Sequence, residues 1–194
     1  MNLMLLRLFQ RQVLFQCECA MFAANELNIA LQHHDSKRVF YSLQNLLNAA
    51  ANISKALWGQ QGRLASKRQN LRMSIGLNDN SPLKSVTMRN NFEHLDERLD
   101  KWWKESKQHN HLDFSVLPKS SVQGIASIDW FRVFDPITMD LYFWSQEFNI
   151  QEIVTEIQKI LPRLQEEANK PHWEEAPKLQ KESANNIHAD AAKE

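Results

Sequence analysis

Arg89, Asn90 and His94 lie within six positions of one another, and their side chains form a set with chemical use. Histidine moves protons near neutral pH, and arginine presents a permanently charged planar fork that matches phosphate oxygens. Asparagine can orient an imidazole or hydrogen-bond a phosphate or hydroxyl oxygen. A proton carrier close to a fixed cation is the equipment for acid–base chemistry at a centre where negative charge develops.

A helix must position them. At about 100° per residue, Met88, Phe92, Leu95, Leu99, Trp102 and Trp103 gather on one half of a cylinder over residues 82–106, while Asn90, His94 and Glu97 line the other half. Ser81 supplies an N-cap, and Pro82 occupies the first helical position, where proline is tolerated. Asn90 sits one turn before His94 on the same side. Arg89 lies about 140° around the helix from His94, so it must reach across or meet its counterpart from a second chain. Glu93, four residues after Arg89, stands where an ion pair with it forms readily. Of the adjacent Trp102 and Trp103, one belongs in the core and the other at an interface.

Few glycines and prolines in a chain rich in Leu, Ala, Gln, Glu and Lys make helix the dominant element of a single domain. Leu6, Val13, Cys17, Ala20, Ala24, Leu27 and Leu31 recur every three or four positions, the pattern of one long helix over residues 3–33. Asp35 or Ser36 can cap a second helix that buries Phe40, Leu43, Leu47, Ala50 and Leu57, reaches Trp58 and stops at Gly59. The short turn between the two forces them side by side and antiparallel. Residues 60–81 connect to the motif helix through a short helix around Leu64, Leu71 and Ile75 and carry the basic run Arg63, Lys67, Arg68 and Arg72. Residues 107–121 read as an irregular polar loop. The β-branched and aromatic stretch at about 128–144, with Asp135-Pro136 midway, is the pattern of a β-hairpin that must lie on the helices or add to a partner's strands. Asn149 and Glu152 open a last amphipathic helix through Ile153, Ile157, Ile160 and Leu164. The expected architecture is therefore mainly α: four principal helices with a hairpin inserted before the fourth, over residues 1–168, followed by a flexible polar tail at 169–194.

The same residues exclude several chemistries. The formal net charge is zero, which argues against indiscriminate coating of nucleic acid, although acids outnumber bases from Gln165 onward and leave the body with a modest basic excess. No glycine-rich phosphate loop is visible. Cys17 and Cys19 point to nearly opposite sides of a helix, so they neither pair nor share a metal, and a reducing cytoplasm suits them. His109, His111 and Asp113 lack a fourth ligand at a recognisable spacing, so no metal and no cofactor is expected. Arg7, Gln10, Arg11 and Gln12 interrupt the apolar opening before it reaches membrane-span length. A cytoplasmic chain without a membrane segment is the expectation.

An arginine followed by a histidine four to six residues on, near the start of the third helix of an up-and-down bundle and with asparagine directly after the arginine, resembles the HEPN superfamily. The residues that carry the likeness are Arg89, Asn90 and His94. The resemblance implies a four-helix up-and-down bundle and a homodimer whose motif helices face each other. For active members it implies metal-independent cleavage of RNA, in some cases as a toxin restrained by an antitoxin protein or as phage defence. Attack of a ribose 2′-hydroxyl on the adjacent phosphate needs a group that shuttles a proton, which suits His94, and a cation against phosphorane charge, which suits Arg89. Asn90 would support them, and Arg63, Lys67, Arg68 and Arg72 would hold RNA phosphates. The competing expectation is a noncatalytic helical module of the same kind that binds another protein, a nucleotide or a small ligand.

Overall fold

The computed structural model describes residues 1–173. The polar tail expected at 169–194 therefore falls almost wholly outside the described residues.

Two long helices form the spine. α1 runs Leu3–Gln32 and α2 runs Ser36–Trp58, and they return on one another through a turn whose Asp35 carboxylate accepts the Arg38 backbone N–H. Val13, Cys17, Ala20, Ala24 and Leu27 face Phe40, Leu43, Leu47, Ala50 and Leu57 in the core, as their spacing predicts. Gly59 ends α2 with φ +79°, and an added Cβ would stand 2.7 Å from the Leu64 Cβ, so only glycine fits this reversal. α6, Ile150–Asn169, lies along α1, capped by Asn149 accepting the Glu152 N–H at 2.9 Å. Arg7 fastens the far end of α6 to α1 through an ion pair to Glu167 at 2.7 Å and a bond to the Glu167 carbonyl at 2.9 Å.

The connecting region contains the short helix α3, Gln69–Ser74. The motif segment then departs from the single helix its sequence predicts. Ser81 caps as expected, but Pro82–Lys84 make only a 3₁₀ turn; the Lys84 carbonyl, which a continuing helix would offer to Met88, accepts the Ser54 hydroxyl at 3.0 Å. Helix resumes as α4, Thr87–Glu93, breaks at His94 (φ −102°, ψ 38°), and continues as α5, Leu95–Glu105. The break has a packing cause. Met88 is buried beneath α2, while Trp102 is drawn toward the sheet, where its indole N–H donates to buried Asp129 at 2.9 Å. Trp103, two-thirds exposed beside buried Trp102, takes the outer place expected for one of the pair.

In place of a lone hairpin over 128–144, residues 133–149 supply three strands of a small four-stranded sheet. β1, Ser115–Val116, pairs parallel to β2, Val133–Asp135, inside what reads as an irregular loop; β3, Asp140–Phe143, and β4, Gln146–Asn149, follow antiparallel. Strand alternation gives the sheet two faces: Phe134, Leu141 and Phe143 enter the helical core, and Val133 and Tyr142 pack with Trp130 on the other side. The fold is thus mainly helical with a small sheet set against the helices.

Candidate functional site

Arg89, Asn90 and His94 all line one cleft of about 380 Å³ between the end of α2 and the start of the motif segment. The opposite wall is Ser54, Lys55, Trp58 and the turn Gly59–Gly62; Lys84 and Val86 close one end. The helix break places His94 at the junction of α4 and α5, where its side chain is half exposed. Three permanent cations, Lys55, Lys84 and Arg89, line this space and no acid does. Such a concavity draws anions.

Arg89 is held tightly. It pairs with Glu93 one turn on, donates through Nη1 to the Asn90 side-chain oxygen at 3.3 Å, and keeps its Nε buried without an acceptor. A buried guanidinium N–H with no partner is costly. His94 Nδ1 lies 3.5 Å from Glu97 Oε1, a contact that is an ion pair only when the ring is protonated. The Asn90 side chain bonds Arg89 and not His94, so it fixes the guanidinium rather than the imidazole.

The neighbouring Asn91 is a positioning residue that its sequence does not announce. Fully buried, it donates to Gln146 Oε1 at 2.6 Å and accepts from Arg98 Nε at 3.0 Å, tying α4 to the start of β4 and to α5. Lys55 and Lys84 were equally unannounced: they lie more than thirty residues and five residues before Arg89, respectively, and only folding brings them to one wall.

The basic run divides: Arg68 and Arg72 turn inward, which takes Arg72 out of reach of an RNA phosphate, while Arg63 and Lys67 face outward. Arg72 is buried; it donates to the Leu57 and Ala65 carbonyls, each at 2.8 Å, pairs with Asp79 at 2.8 Å and sits over the Trp58 ring. Arg68 donates to the Lys55 and Ala56 carbonyls and covers Phe9, and its burial lowers its pKa. Both satisfy orphan carbonyls at the C-terminus of α2. Arg63 and Lys67 stay exposed, Arg63 bonded to Gln61. The split follows from chain direction: α2 ends in carbonyls, and the nearest cations in sequence are folded back to meet them.

Elsewhere, His109 and His111 pack around the Trp102 ring, and Asp113 is engaged by Arg132. Among the described residues no three His, Cys, Asp or Glu side chains converge as a metal site. A second concavity, about 510 Å³, is lined by Lys107, Ile125, Ile128 and Asp129 and holds no imidazole or arginine. No helix among the described residues is long and apolar enough to cross a membrane. No family model matches the chain, and no curated protein or solved structure matches it either.

Proposed function

We propose that this chain is a metal-independent endoribonuclease of the HEPN kind, built on a four-helix up-and-down bundle of α1, α2, the broken α4–α5 segment and α6. The observation that carries the proposal is the shared cleft: a half-exposed imidazole and a guanidinium with an unpartnered N–H line a concavity whose other charged groups are both lysines. RNA lies along the cleft with a phosphate against Arg89, Lys55 and Lys84. His94 takes the proton of the 2′-hydroxyl as that oxygen attacks phosphorus. Arg89 stabilises the charge that builds on the phosphoryl oxygens, and Asn90 holds Arg89 in place. The bond to the 5′-oxygen breaks, leaving a 2′,3′-cyclic phosphate and a 5′-hydroxyl; the proton returns to the departing oxygen from the imidazolium or from water. The same proposal takes the protein to act in the cytoplasm as a homodimer and, as with toxin members of the superfamily, under restraint by an antitoxin protein.

The experiment is digestion of single-stranded RNA by the purified chain with excess chelator, with end-group analysis of the fragments. Cyclic phosphate ends that vanish in His94→Ala support it. Intact RNA at high protein concentration overturns it. One observation favours a noncatalytic reading: Glu93 already occupies the Arg89 fork. In that case the cleft binds a nucleotide or phosphate-bearing partner without turnover, and the same assay separates the two.

A further inference from the structure

α1 is apolar on two sides. One side is the core face against α2 and α6; the other shows Leu8, Phe15 and Phe22 at 50%, 57% and 73% exposure, flanked by exposed Met4 and Leu5. Leu8, Phe15 and Phe22 stand seven apart, the repeat that keeps a stripe facing a partner helix as two helices wind together. The stripe exposes on the order of 600 Å² of apolar surface, the upper end of what a monomer shows and, doubled, the size of a stable interface.

Arg11 and Glu18 lie seven apart along one flank of the stripe. Both are exposed and, among the described residues, neither has an ion-pair partner; Arg11 spends only Nε, on the Ala168 carbonyl at 3.2 Å. Like flanks of two identical helices meet when the helices run antiparallel. A twofold axis near Leu14 and Phe15 then sets each Arg11 opposite the other copy's Glu18, brings the two Phe15 rings together, and lays Leu8 against Phe22. Residues 174–194 hold only Leu179 and Ile187 as large apolar side chains, too few to cover the stripe themselves.

We infer that the exposed stripe of α1 is the contact surface for a second copy of this chain, paired antiparallel with reciprocal Arg11–Glu18 ion pairs. The inference stands independently of the cleft, which is built from other elements. The contact is on α1, separate from any facing of the motif helices.

Sedimentation equilibrium of the full chain tests it. The wild type sediments as a dimer at about 100 µM. Phe15→Glu gives a monomer with unchanged helical circular dichroism, since the site is already exposed. Arg11→Glu weakens dimerisation about tenfold, and Arg11→Glu combined with Glu18→Arg restores it. In a Cys19→Ser background, Phe15→Cys forms an interchain disulfide on mild oxidation, while Met73→Cys, exposed on α3, does not. A monomeric wild type, a Phe15→Glu variant that remains dimeric, or a double charge swap no better than Arg11→Glu alone overturns the inference.

Discussion

The Arg89 guanidinium divides its donors between Glu93 and Asn90 and leaves Nε without an acceptor. If Glu93 competes with phosphate for the fork, Glu93→Gln raises RNA affinity several-fold, whereas Arg89→Ala and His94→Ala each lower cleavage by about 100-fold or more. Arg89→Lys does not restore activity, because an ammonium lacks the planar fork. Filter binding and single-turnover cleavage read both. Lys55→Ala and Lys84→Ala weaken RNA binding across sequences and each flattens its salt dependence by about one counterion, while Arg63→Ala, off the cleft wall, changes neither. Asp129 shows the residue scale in a structural role. Fully buried, it accepts the Trp102 indole N–H and the Ser106 hydroxyl through one oxygen. Asp129→Ala strands both donors and lowers stability by about 2–3 kcal/mol, whereas Asp129→Asn retains an acceptor and costs less; urea denaturation compares them.

Among the elements, the end of α2 organises the site. Its last carbonyls are taken by Arg68 and Arg72, its reversal is made at Gly59, and its final turn supplies the cleft wall. Arg72→Met removes two bonds to buried carbonyls and costs about 3 kcal/mol. Gly59→Ala places a methyl where the Leu64 side chain already stands, on a backbone with φ +79° that disfavours it, and costs more than about 1 kcal/mol. Thermal unfolding measures both, and each variant also lowers RNA affinity because Lys55 and Trp58 lose their fixed positions. The broken motif segment behaves similarly. Asn91→Ala cuts the ties from α4 to Gln146 and Arg98, so cleavage falls although Asn91 does not line the cleft.

Among the described residues, two of the carboxyls held below their ordinary range, Asp113 and Glu167, act as clasps that acid releases. Burial alone would raise the Asp113 pKa, but the fork of Arg132 and the backbone N–H groups of Arg132 and Phe114 more than offset it and hold the carboxyl below its ordinary value of 3.8. Glu167 is likewise lowered from 4.5 despite its burial, by hydrogen bonds from Lys170 and Arg7. A lowered folded-state pKa contributes stability that is present above the ordinary value and is lost as pH falls below it toward the folded-state value. Melting temperature therefore holds from neutrality to about pH 5 and drops below about pH 4, and Asp113→Asn, less stable at neutrality, shows a shallower fall. The two clasps join different parts: Asp113 ties the segment before β1 to the approach to β2, and Glu167 ties α6 to α1.

The order and ends of the long helices were legible in the chain because their causes are local: Asp35, Gly59 and Asn149 act on backbone within a few residues, and the three- to four-residue recurrence of Val13, Cys17, Ala20, Ala24 and Leu27 names a buried face without reference to a partner. The strand character of the β-branched and aromatic stretch was legible for the same reason, but not the sheet of four strands it joins. Tertiary structure alone decided the break at His94, because Met88 and Trp102 answer to different neighbours far away in sequence, and it alone decided that Arg72 closes a helix while Lys55 faces a cleft. A cation's sequence does not say whether a carbonyl, a carboxylate or solvent will stand opposite it. That depends on which chain ends the fold carries to its side, and it is why the motif residues stand out in the sequence and the lysines that share their wall do not.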